Sequence, residues 1–339
     1  MASEKKSNQT ISITNEKDAF FQLQRALASE FDDQPINIEF KNWPILIVSL
    51  EGKGYDSTIT SHMAEALVEL QHAMNRTFAR VVRGSGNPNV LTLEQKRTIE
   101  FKAKVEKGSS LLTVDLSDYA TKIVSGLVGK MDGTQLVMLT LGTAVIAGST
   151  LAYKAFLKHR SEDKKVELAT QERIGLSQEE TKRLVQLQQI MTVQPKLEAT
   201  RQDFDDARYS LIKSVGDANT LKVQGVELNR AEAKSIASTP RSTSDEVQLN
   251  GHYRIDKLDW TKAGEVRISV WSTDESREFT AKLNTESLNT AQKEMLKKAE
   301  WERKNLHLQV NATQLRGEIT TATIVGIEWP KEGKPPNLK

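Results

Sequence analysis

The run Gly133–Tyr153, GTQLVMLTLGTAVIAGSTLAY, holds no charged residue over 21 positions, in a chain whose residues are 27% charged. As one α-helix it would be about 31 Å long, the thickness of a bilayer's hydrocarbon core. Lys130 and Asp132 bound it on one side, and Lys154, Lys158, His159 and Arg160 on the other. The run therefore reads as a single transmembrane helix dividing two polar halves. Thr134, Gln135, Thr140, Thr143, Ser149 and Thr150 make it only moderately apolar, and a helix buried in a protein core would look similar. Gly142, Ala144, Gly148 and Ala152 put small residues along one side. In lipid such spacing lets helix backbones approach closely, which predicts a homo-oligomer packed through these four positions.

The flanks give an orientation. Lys154, Lys158, Arg160, Lys164 and Lys165 outnumber Glu162 and Asp163 after the run, whereas only Lys122 and Lys130 precede it closely. The excess of bases on one side predicts an inner (plasma) membrane protein with its C-terminal domain cytoplasmic and membrane lipid as a partner. The first twenty residues contain no apolar core of signal-peptide length. Residues 1–17 read as a polar tail of disordered composition.

Composition excludes several classes. The 339 residues carry a net charge of +2 with no long single-sign run, which argues against a general nucleic-acid binder. There is no cysteine, so disulfides and thiolate chemistry are excluded. The five histidines show no metal-ligand spacing, and no metal or cofactor is expected. Gly126–Met131 looks superficially like a phosphate loop but lacks the first glycine at the right distance and the Ser/Thr after Lys130. No nucleophile elbow is present. No catalytic residue is expected, and the chain reads as a non-enzyme.

Periodicity divides the rest. In 18–132, apolar spacing predicts a helix over 18–31, with Phe21 and Ala26 widening its stripe, and strands over 36–40 and 45–50 joined as a hairpin through Lys41–Pro44. A long helix follows over 60–82, a loop at 83–88, a helix over 92–106, a strand over 111–116 and a helix over 117–130. Together these form an N-terminal α/β domain. Residues 154–237 read as a helical stalk, with a capping box at Ser177–Glu180 and a break at Pro195. Residues 238–248 read as a linker and 331–339 as a tail. The run from Trp43-Pro44 through ILIVSLEGKGYDSTIT, with Leu70-Gln71 on the helix after it, resembles an uncharacterised domain of bacterial and prophage proteins that stands before a membrane segment. Over residues 36–157 the resemblance implies a bacterial envelope or phage-defence setting, and no site residues.

Residues 249–330 change character. Alternation predicts strands over 252–260, 265–272, 277–283, 305–314 and 319–329, with a helix over 289–303 presenting Met295, Leu296, Ala299 and Trp301. Three strands, a helix and two strands is the order of an OB-type five-stranded barrel, which binds oligonucleotides or oligosaccharides on its second and third strands. Arg254, Arg267, Trp271, Arg277 and Phe279 form the candidate ligand face, with the alternative that Trp271 and Phe279 are core. Twelve acids and twelve bases cancel in this region.

The expected fold class is thus α+β and multi-domain. Two functions from different classes follow. One is a self-associating, single-pass membrane protein with sensor or docking domains on either side of the span, acting on an unknown protein partner. The other is a soluble oligonucleotide- or protein-binding module in which 133–153 is a buried core helix.

Overall fold

A computed structural model describes residues 9–32, 35–55, 57–105, 110–162, 172–238, 245–262, 264–273, 277–315 and 318–330. Parts of the expected tails (1–8, 331–339) and of the linker (239–244) lie outside the described residues. The chain forms two compact units, one of residues 1–82 and 94–241 and one of residues 83–93 and 242–339.

The first unit opens with strand β1 (Gln9–Ile13), inside the stretch read as a tail. Helix α1 (Glu16–Leu27) follows, capped by Asn15, and then β2 (Ile36–Phe40), which pairs in parallel with β1. Helix α1 buries Ala19, Phe20, Leu23 and Ala26, whereas Phe21 points outward at 59% exposure and does not widen the apolar stripe. Strand β3 (Ile45–Glu51) does not form a hairpin with β2. The Trp43–Pro44 peptide is cis, and β3 joins a separate five-stranded sheet.

Helix α2 (Ser61–Arg83), expected over 60–82, buries Met63, Ala66, Leu70, Met74 and Phe78 on one face. The helix read over 92–106 is shorter: α3 (Leu93–Thr98) ends early and β4 (Ala103–Val105) follows. Next come β5 (Ser110–Asp115) and α4 (Ser117–Leu127), which buries Tyr119, Ile123 and Leu127.

The uncharged run is two helices, not one. Helix α5 (Gly133–Gly148) and helix α6 (Thr150–Glu162) meet at Ser149 with a bend of 63°. Sixteen residues of α5 span only about 24 Å. No single helix among the described residues is long and apolar enough to cross a membrane, which corrects the single transmembrane helix. Helix α5 is buried on nearly every side, against α1, α4, α6, β2 and β3. Also packed on it are α7 (Gln178–Val193), with the expected Ser177–Glu180 capping box, and α8 (Lys196–Lys213).

The supposed stalk is part of the same unit. It ends in a hairpin, β6 (Thr220–Val223) and β7 (Val226–Asn229), and a short helix α9 (Arg230–Ala237). Strand β6 pairs antiparallel with β3, Val48 opposite Val223 and Glu51 opposite Thr220, giving the order β4-β5-β3-β6-β7. Strands from before and after the uncharged run therefore share one sheet. A single membrane crossing between them would place them on opposite sides.

The break at Ser149 has a local cause. Gln224 and Gly225 both have positive φ, the geometry of a two-residue hairpin turn. The Gln224 amide nitrogen donates to the carbonyls of Gly148 (2.6 Å) and Ile45 (2.7 Å), and its oxygen accepts from the Ile47 N–H. It thus satisfies a carbonyl that the end of α5 leaves open. On the other side of the break the Glu16 carboxylate accepts the Thr150 N–H at 3.0 Å, and burial raises its pKa above the ordinary 4.5.

The second unit is a closed five-stranded barrel. Edge strand β8 (Asp245–Gln248) leads into β9 (Gly251–Lys262), β10 (Glu265–Ser272) and β11 (Glu278–Asn284). Helix α10 (Thr290–Glu302) follows, with a capping box at Asn289, and then β12 (Asn305–Leu315) and β13 (Glu318–Glu328). The order β13-β11-β10-β9-β12 closes because β13 also pairs with β12; the β11–β13 pairing is parallel and the rest antiparallel. Val266, Ile268 and Val270 alternate inward on β10 and pack with Ile255, Phe279, Leu308 and Ile324. Leu296 and Ala299 of α10 join this core, but Trp301 is 90% exposed, contrary to its assignment to the apolar face.

Candidate functional site

Because one side of β10 fills the barrel, the alternate residues Arg267, Ser269 and Trp271 face outward. Register sets their neighbours. Arg267 lies between Asp259 of β9 and Lys282 of β11, Ser269 between Lys257 and Thr280, and Trp271 between Arg254 and Glu278. Adjacent rungs of this kind bring side chains within contact distance.

Residues Arg83–Leu93 run across this face as a strap. Pro88–Val90 form a 3₁₀ turn capped by Asn87, whose oxygen accepts the Asn89 N–H at 2.9 Å. The Asn87 amide donates to the Thr280 carbonyl at 3.0 Å. Arg267 Nη1 donates to the carbonyls of Asn89 (3.0 Å) and Leu91 (2.7 Å). Asn87, Asn89, Leu91 and Arg267 are all buried by this arrangement.

Strap and strands enclose a cleft of about 630 Å³. Arg83 and the Gly84-Ser85-Gly86 turn form one wall. Lys257, Asp259, Arg267 and Ser269 form the floor, Arg277–Thr280 the far side, and Glu318 and Ile319 the end. Four bases face three acids, Asp259, Glu278 and Glu318. Ser269 Oγ and Thr280 Oγ1 lie 3.3 Å apart on neighbouring strands.

Of the five residues expected at a ligand face, Arg267, Arg277 and Phe279 line the cleft. Phe279 is only 4% exposed and meets Tyr253 edge-on at 5.5 Å, so it is core, as the alternative reading held. Trp271 is half-buried on the same face but outside the cleft lining, and Arg254 pairs with Asp256 at 3.2 Å. By sequence, residues 83–88 of the strap read as a loop, and its last two residues as the start of a helix. Its one local signal is Asn87-Pro88, a cap followed by proline, which predicts a short helical turn but not where that turn docks.

No family model, curated protein or solved structure matches the chain. The resemblance over 36–157 therefore adds nothing to the assignment, which rests on geometry.

In the first unit the four small positions meet the chain itself. A Cβ on Gly142 would stand 2.6 Å from Leu197 of α8, and one on Gly148 would stand 2.6 Å from Pro44. Ala144 is buried, and Ala152 lines a groove of about 430 Å³ between α6, α7 and α8. The groove's one fully buried cation, Arg208, is held by Asp205 at 2.7 Å and by the Ile146 carbonyl, and desolvation lowers its pKa. Among the described residues no cluster of three or more His, Asp or Glu could hold a metal ion.

Proposed function

We propose that this chain is a non-enzymatic binding protein whose C-terminal barrel takes single-stranded nucleic acid on the outer face of β9–β11. The observation that carries the reading is the polar cleft between that face and the strap, on the surface that OB-type barrels use for oligonucleotides. Arg83, Lys257 and Arg277 offer positive charge to a phosphate backbone. Trp271, half-exposed beside them, offers a stacking surface for an unpaired base. The first unit is the scaffold from which the strap leaves and to which the chain returns at α3. The other expectation, a membrane-anchored sensor, is disfavoured by the pairing of β3 with β6 around the uncharged run.

The test is fluorescence anisotropy with a labelled dT₁₀, a labelled rU₁₀ and a duplex of equal length, over a range of salt. Preferential binding of the single strands is expected, with a log–log salt slope of about −2 if three phosphates are contacted. Trp271→Ala should cost about 1–3 kcal/mol of affinity. Equal binding of duplex and single strands, or binding unchanged in Trp271→Ala, would overturn the reading.

A further inference from the structure

Arg267 is 5% exposed, and its only bonds among the described residues run from Nη1 to two neutral carbonyl oxygens. Its Nε is buried without a partner. Among the described residues no carboxylate lies within ion-pair distance of it, although Asp259 stands opposite on β9 and Glu265, whose Oε1 is likewise buried and unbonded, two residues before it on β10. An arginine taken out of water normally acquires a carboxylate or a full set of acceptors, because an uncompensated buried charge is costly. Here Nη2 makes no bond among the described residues and is not sealed off as Nε is, so it is the donor that this cleft-lining residue can offer an oxyanion.

We propose that the cleft is a phosphate site in which one oxygen of a phosphate group accepts from Nη2 of Arg267. The Ser269 and Thr280 hydroxyls lie one rung away, paired with each other, and either can turn its proton toward a second oxygen. Lys257, in register with Ser269, supplies a positive charge on the cleft floor. Asp259, Glu278 and Glu318 line the same cleft and oppose a second negative charge close by. A phosphodiester, with one charge, therefore suits the site better than a free polyphosphate. This deepens the nucleic-acid reading by fixing where one backbone phosphate sits, but the phosphate site stands even if no nucleic acid is its source.

The experiment uses the full chain, titrated with inorganic phosphate, with dimethyl phosphate and with dT₁₀ against sodium chloride of matched ionic strength, followed by calorimetry and thermal melting. Saturable binding of dimethyl phosphate that competes with dT₁₀ is expected. Lys257→Gln and Ser269→Ala, neither of which bonds the strap, should each weaken it about threefold to tenfold with an unchanged melting temperature in chloride. Arg267→Lys, which keeps the charge and loses the Nη2 donor, should weaken it more. Binding of either small anion without dT₁₀ binding supports the phosphate site and overturns the nucleic-acid reading. Binding of dT₁₀ with no saturable effect of either anion, or small-anion binding indifferent to all three substitutions, overturns the phosphate site.

Discussion

Arg80 in the first unit and Arg267 in the barrel are equally buried, each 5% exposed. Arg80 has the Asp203 carboxylate at 2.6 Å, and the other oxygen of Asp203 takes Arg76 at 2.7 Å. Among the described residues Arg267 has only the two strap carbonyls. The first arrangement is closed: charge meets charge, α2 is stapled to α8, and little is left for a ligand. The second satisfies Nη1 of the guanidinium and leaves Nη2 without a bond among the described residues, in a side chain that lines a cleft. A buried cation that balances inside the chain is scaffold, and one that does not points to what the chain meets outside it.

That contrast can be broken first at its closed end. Asp203→Asn would strand two arginines against each other and should cost about 3–5 kcal/mol in urea unfolding, as breaking a buried pair does. A loss under 1 kcal/mol would mean that Asp203 is not what compensates Arg80. Gly148→Leu drives a side chain into Pro44 and should cost about 3 kcal/mol by overpacking. Unchanged stability together with an altered oligomeric state in sedimentation would return the small residues to a role between chains. Gln224→Ala leaves the Gly148 and Ile45 carbonyls unanswered and should cost about 2 kcal/mol, read from chemical denaturation.

The smallest effect is a pH dependence at Glu16. Its folded pKa is raised by burial above the unfolded value, so the folded state holds the proton more tightly. Its contribution is fully present below pH 4.5 and is lost as pH rises through the folded pKa. Glu16→Gln keeps an oxygen for the Thr150 N–H and removes the titration. It should flatten the stability profile just above pH 4.5 and change stability at pH 7 by less than about 1 kcal/mol. An unaltered profile would show that Glu16 is not desolvated.

How much was legible before the structure follows from the same contrast of regions. In the barrel every strand buries one face, so a period of two marks β9–β13 to within a residue or two, and the order around α10 follows. In the first unit the short strands β1, β4, β6 and β7 carry three to five residues each, too few for periodicity to separate from a tail, a helix end or a loop. The break at Ser149 was only faintly legible, for a different reason. Gly148 is a poor helix former and the Ser149 hydroxyl caps α6 by accepting the Ala152 N–H at 3.0 Å, but the contacts with Pro44 and Gln224 that fix the bend come from distant parts of the chain. The same holds at the site. Arg267 and Arg277 could be assigned to the face by alternation, but the strap that buries Arg267 and makes its missing partner meaningful lies about 180 residues earlier, with no pattern linking Asn87 to Thr280.

The most direct measurement is the ¹⁵N–¹H spectrum of the arginine Nε groups, recorded while the protein is titrated with dimethyl phosphate at constant ionic strength. The Arg267 signal, assigned through Arg267→Lys, should shift saturably while those of Arg80 and Arg208 stay in place. An Arg267 signal that does not move, or that moves no more than those of the two ion-paired arginines, would contradict the account.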